Sequence, residues 1–176
     1  DELPTIGERA LWHSQPVGVG VVLRQRRCGS LFGSPQSLTL LEVRLDAVEQ
    51  CAVEAPGGLV RTSTMGEAAG ALAALNGGFY NTRTGVPVDL VRIAGDLRHP
   101  GVAERPALGF DGAAGALTLH FATRPAGDWP EVEHALGTNT WLVRDGVVHH
   151  QDPESPAKRV RHPRTAIGRS ADGTHM

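Results

Sequence analysis

Apolar and polar positions alternate in short stretches along most of this chain, the two-residue period of half-buried strands. Residues 17–23 are β-rich and broken by glycines, and residues 28–37 form a Gly/Ser/Pro-rich run that predicts a loop. Residues 38–45 predict a strand, with the alternation clearest at Glu42, Val43, Arg44 and Leu45. A turn follows at Ala55-Pro56-Gly57-Gly58. The period then changes. Thr64 and Glu67 have the spacing of a capping box, and Met65, Ala68, Ala69, Leu72 and Leu75 supply a helical apolar face rich in the best helix former. Gly66 and Gly70 weaken that helix, and Gly77-Gly78 must end it.

Beyond the helix the pattern is again β. Residues 88–94 predict a strand that turns at Gly95-Asp96. Residues 107–110 and 116–122 flank a Gly/Ala/Asp turn as a hairpin, and residues 141–144 and 147–150 flank Asp145-Gly146, the strongest short hairpin signal here. Residues 129–136 predict a short helix, and 151–156 a polar loop. Residues 165–168 predict a strand, with a hairpin turn at Ala171-Asp172-Gly173. Only Thr174, His175 and Met176 follow, too few for a return strand, so an unpaired edge is expected. The fold class is α+β: a β-rich mixed sheet with one capped, alanine-rich helix. No internal repeat and no dividing linker is visible.

The chain has 176 residues, enough for one domain with a real core. A net charge of −2 argues against a nucleic-acid partner, although basic residues cluster at 24–27 and 158–164. No apolar run approaches the ~20 residues of a membrane helix. Two cysteines, Cys28 and Cys51, do not make a disulfide framework; one bridge or two separate thiols are both compatible. Asp1-Glu2-Leu3-Pro4 lacks the basic and apolar regions of a signal peptide, and the missing initiator Met favours an exported, processed protein.

Two runs carry candidate chemistry. Asn76-Gly77-Gly78-Phe79-Tyr80-Asn81 is either a helix stop with a tight turn or a ligand site. In the second reading Gly77 and Gly78 let backbone N–H groups approach a ligand, while Asn76 offers a donor and an acceptor. Arg161-His162-Pro163-Arg164-Thr165-Ala166-Ile167-Gly168 is either a solvated basic loop or a phosphate grip. The planar guanidinium fork of Arg164, entering an apolar segment, suits phosphate oxygens. The adjacent His149 and His150 would point to opposite faces of a strand and do not share a metal easily. No zinc spacing, nucleophile elbow or Walker loop occurs, so neither metal nor cofactor is expected.

The first run, then Trp141-Leu142-Val143-Arg144-Asp145-Gly146, then the Arg-His-Pro-Arg-Thr-Ala-Ile-Gly run, resemble in this order the phosphodiester glycosidase family. The resemblance implies a mixed α and β fold on a substantial sheet. It also implies hydrolysis of the sugar–phosphate glycosidic bond of a glycosyl phosphodiester, with a sugar-phosphate as substrate. Carried onto this chain, Asn76 and Arg164 are the candidate catalytic residues, and Gly77, Gly78, His162 and Thr165 candidate substrate-binding ones. Where the family often has Gly-x-Pro-x-Gly, this chain has Gly85-Val86-Pro87-Val88-Asp89, which brings Asp89 in as a further substrate-binding candidate. Family members continue past the Gly173 turn into more strands and an Asn-Leu-Asp-Gly-Gly-Gly-Ser segment. The chain is therefore expected to be the N-terminal part of a larger domain, completed by a companion C-terminal segment or a second chain. A non-catalytic glycan-binding or assembly module on the same fold is the alternative.

Overall fold

The computed structural model describes residues 12–31, 33–48, 50–55, 57–102, 105–113, 116–124, 129–149 and 162–176. They fall into two compact units. One draws on Asp1–Gln50, Ala113–Leu117 and Gly168–Met176, the other on Cys51–Gly112 and Thr118–Ile167. No linker in the sequence marks this division. Among the described residues the chain is mostly β-sheet with one short α-helix, in keeping with a β-rich α+β fold.

The first unit holds a three-stranded antiparallel sheet of β1 (His13–Gly18), β2 (Val21–Leu31) and β3 (Ser34–Val43), in that order. The segment 17–23 is thus two strands about a turn. Gly20, at φ 67°, makes the reversal, and a Cβ there would overlap Ala47. The loop expected over 28–37 is mostly strand as well. Gly33, at φ 75°, lies in the turn, and Gly29-Ser30 are absorbed where the β2–β3 register shifts between Cys28 and Leu31. Pro35 is tolerated because β3 is an edge strand of this sheet. Val21, Leu31, Val43 and Leu45 are buried. β3 ends at Val43, two residues short of the predicted limit, and Leu45–Ala47 coil into a 3₁₀ turn.

Residues 174–176, too few for a return strand, nevertheless find backbone partners. The turn at Ala171–Gly173 does form, and Ser170 N–H bonds the His175 carbonyl at 2.9 Å across it. Thr174–Met176 then pair with the end of β3. Val43 and Met176 exchange two backbone bonds of 2.8 Å, and Leu45 N–H reaches the Thr174 carbonyl at 3.0 Å. Three residues suffice because they extend an existing strand end and need not build a new ladder.

The second unit is built on a five-stranded sheet of β4 (Val91–Ile93), β5 (Asp96–His99), β6 (Arg105–Ala113), β7 (Ala116–Arg124) and β8 (His134–Gly137), in the order β5-β4-β8-β6-β7. β8 pairs antiparallel with both β4 and β6. This central place explains why residues 129–136 are not a helix. The four residues of β8 are buried or half-buried on both faces, and Ala135 is fully buried. Leu90, Ala107, Trp129, Val132 and Ala135 form the core, with Ala122 against them. β4 covers only part of residues 88–94, and its turn to β5 falls at Ala94-Gly95, one residue early. Both take positive φ, 50° and 83°. The Asp145-Gly146 hairpin forms as predicted, with φ of 52° and 76°, between β9 (Val143–Arg144) and β10 (Val147–Val148).

The helix, α1 (Thr62–Ala68), is shorter than its apolar periodicity predicts and starts two residues before Thr64. Arg61 is its N-cap, without a side-chain cap bond, so the capping box is not used. Gly70, at φ 62°, stops it. Gly70 N–H bonds the Glu67 carbonyl and Ala71 N–H the Gly66 carbonyl, the paired bonds of a Schellman cap. Gly66 then admits the returning chain, since a Cβ there would lie 2.9 Å from the Ala74 methyl. Leu72 and Leu75 lie outside the helix and are exposed. Both cysteines are free thiols, and burial pushes the Cys51 thiol up from its ordinary range.

Candidate functional site

The end of the irregular segment after α1 brings the two candidate runs together. The Thr165 hydroxyl donates to Asn76 Oδ1 at 2.6 Å, across 89 residues of chain. Residues 165–168 form no strand, contrary to their apolar pattern. They have no strand partner among the described residues, and the side chain of Thr165 supplies this tie to the first run. Both partners are exposed, so the pair is open to a ligand. The hydroxyl proton is committed to Asn76. Thr165 Oγ1 therefore presents lone pairs outward, and the Asn76 amide nitrogen presents two N–H donors. Arg164 and His162 flank the pair in sequence and are exposed; Arg164 donates from Nη1 to the Pro163 carbonyl at 3.3 Å. Arg161 lies outside the described residues.

Gly77 and Gly78 are needed for packing. A Cβ on Gly77 would sit 3.1 Å from Leu136 Cδ1, and one on Gly78 would sit 2.9 Å from the Gly137 carbonyl oxygen. The backbone carrying Asn76 thus lies directly against the end of β8. On its far side the run is pinned as a narrow ribbon. Val88 N–H bonds the Phe79 carbonyl at 3.0 Å, and Asn81 N–H bonds the Val86 carbonyl at 2.8 Å. Asn81 is consumed by this loop, where its Oδ1 accepts from the Arg83 and Thr84 amides at 2.9 and 3.2 Å.

Asp89 packs against Gly137 at the end of β8. It is buried, and its oxygens are occupied. Oδ1 accepts from the Leu90 and Val102 amides at 2.9 and 3.1 Å, and Oδ2 pairs with Arg105 Nη1 at 3.2 Å. A Cβ on Gly137 would overlap the Asp89 carboxyl, and Gly137 N–H bonds the Leu90 carbonyl at 2.7 Å. Gly137 and Arg105 were not visible as site-supporting residues in the sequence. A glycine closing a short strand carries no sign of its partner, and Arg105 pairs with a carboxylate 16 residues away.

Among the described residues no group of three or more His, Cys, Asp and Glu side chains is placed to hold a metal ion. No helix among them is long and apolar enough to cross a membrane. The open pair has donors and an acceptor, and Arg164 directly precedes Thr165 in sequence; these are groups of the kind that hold sugar hydroxyls and an anionic group. A model of the phosphodiester glycosidase family matches residues 69–176, more than half of the chain and the whole span from Asn76 to Thr165. Comparison with curated proteins and with solved structures finds no match.

Proposed function

Because this chain belongs to the phosphodiester glycosidase family, we propose that it hydrolyses a glycosyl phosphodiester at the Asn76–Thr165 pair. The observation that carries this reading is the 2.6 Å bond joining the two runs. It sets an amide donor and a hydroxyl acceptor side by side on an open surface, next in sequence to a guanidinium. Water attacks the anomeric carbon of the diester: the bond from that carbon to the bridging oxygen breaks, a phosphate monoester leaves with the bonding electrons, and the proton lost by the water passes to solvent or to the released phosphate. A phosphate monoester is a good leaving group, so strong general-acid help is less needed than for an ordinary glycoside. What the transition state needs is stabilisation of charge on the departing phosphate. Arg164 supplies it through a bidentate fork, and the Asn76 N–H groups add a donor for phosphate or for the attacking water. Thr165 Oγ1, with its proton committed, accepts from a sugar hydroxyl. Gly77 and Gly78 hold this backbone in place, and His162 borders the phosphate side.

The test is release of free sugar from a sugar-1-phosphate methyl ester, followed by chromatography. Turnover is expected, and Arg164→Lys should lower kcat about 10-fold or more, since an ammonium does not reproduce two parallel bonds to phosphate. Saturable binding without sugar release would instead support a glycan-binding module. Unchanged kcat in Arg164→Lys would remove Arg164 from the reaction.

A further inference from the structure

We propose that Gly137 is a positioning residue, the stop that fixes where the Asn76 backbone sits. It rests on the reading of Asn76 as the residue that meets substrate. Gly137 is confined by contacts of its own. Its Cβ position is taken by the Asp89 carboxyl, its N–H is bound to the Leu90 carbonyl at 2.7 Å, and its ladder partner in β6 is Ala107. Asp89 in turn cannot move freely. It is buried and bound by the Leu90 and Val102 amides and by Arg105. The next residue is fixed too, with Thr138 N–H on the Pro106 carbonyl at 2.8 Å.

Against this rigid point rests the glycine pair that follows Asn76. Gly78 approaches so closely that a Cβ would stand 2.9 Å from the Gly137 carbonyl oxygen, and Gly77 is pressed on Leu136. The carbonyl belongs to the sheet backbone and cannot rotate aside as a flexible side chain would. A side chain at 78 must therefore lift the loop, and one at 137, overlapping the held Asp89 carboxyl, must push Gly137 out of place beneath it. Asn76, two residues before Gly78, would move with it and leave Thr165. Buried Asp89, held in part by Arg105, thus acts on the open site through Gly137, without touching substrate. Displacement of a positioned group by about 1 Å can cost on the order of 100-fold in rate.

The experiment compares Gly78→Ala and Gly137→Ala with Gly112→Ala, where an added Cβ meets nothing within 4 Å. Two readouts are taken: the NMR resonances of the Asn76 side-chain amide, and kcat and KM on the sugar-1-phosphate methyl ester. The expected result is a shift of the Asn76 amide signals in the first two variants and none in Gly112→Ala. kcat should fall about 10-fold to 100-fold with KM changed less than about 2-fold. Asn76 signals that stay in place in a folded Gly78→Ala or Gly137→Ala would overturn the proposal. So would unfolding of Gly78→Ala, because the contact would then hold up the fold and not one side chain. If the unsubstituted protein releases no sugar, the proposed function fails, while the Asn76 resonances still decide the positioning role.

Discussion

Replacing Thr165 by Val removes one hydroxyl and keeps the side-chain shape, so it isolates the bond to Asn76. That bond is short, 2.6 Å, but both partners are exposed. Water replaces the lost partner on each side, and the stability cost should stay near the low end for a hydrogen bond, about 0.5–1 kcal/mol. For a chain of this size that is a fall in Tm of about 3 °C or less. The cost to turnover should be much larger. Without Thr165 the Asn76 amide is free to rotate, and loss of one fixed group at a developing charge typically costs about 100-fold to 1000-fold in kcat. Asn76→Ala should fall in the same range. The double variant tests whether the two act as one device: it should be about as slow as the worse single variant. The assay is steady-state sugar release for all four proteins, with thermal melts run in parallel. Penalties that multiply to about 10,000-fold or more would show two independent residues and refute the reasoning. A melting loss far beyond about 3 °C would recast the pair as structural.

Two further outcomes follow from groups away from the open pair. Asp89→Ala strips partners from the Leu90 and Val102 amides and from Arg105, whose side chain is 39% exposed and can rehydrate. Chemical denaturation should show a loss of about 2–4 kcal/mol, and a loss below about 1 kcal/mol would mean that water reaches these amides. Asp172 is held down to a pKa of about 2, chiefly by the Ser170 hydroxyl and also by the Thr174 amide and hydroxyl. Its folded value lies below the usual carboxylate range, so its contribution is complete above pH 4 or so and is lost as pH falls through about 2. An NMR titration of the Asp172 carboxyl should show that low midpoint, and an ordinary midpoint would mean that the C-terminal turn is open.

The strands legible in the sequence were those announced by their turns. Asp145-Gly146 carries its own conformation, and the β6–β7 hairpin was announced by Gly, Ala and Asp between apolar runs, although β6 itself runs on through Asp111 and Gly112 to Ala113. What misled were glycines with long-range reasons. Gly66 and Gly70 looked like small defects in a long helix, yet they end it and let Ala74 fold back. Gly29 and Gly33 suggested a loop, where one supplies a register shift and the other a single tight turn. Residues 129–136 kept a helix-compatible pattern because β8 buries both faces, so alternation had no solvent side to record. The site divides the same way. Asn76 and Thr165 stood out by residue type and motif, but their bond spans 89 residues and local pattern cannot show it. Asp89 stood out as a carboxylate near the run, while its occupied oxygens depend on Val102 and Arg105, which only the fold brings to it.

The most direct test of the central claim locates the ligand on the protein. A glycosyl methylenephosphonate methyl ester keeps the sugar and the negative charge but lacks the scissile oxygen. It can be titrated into isotope-labelled protein while backbone and side-chain amide signals are followed. The account predicts saturable shifts largest at Asn76, Gly77, Gly78, Arg164 and Thr165, with the Asn76 side-chain amide among the strongest. Shifts centred elsewhere, or none at saturating analogue, would contradict it.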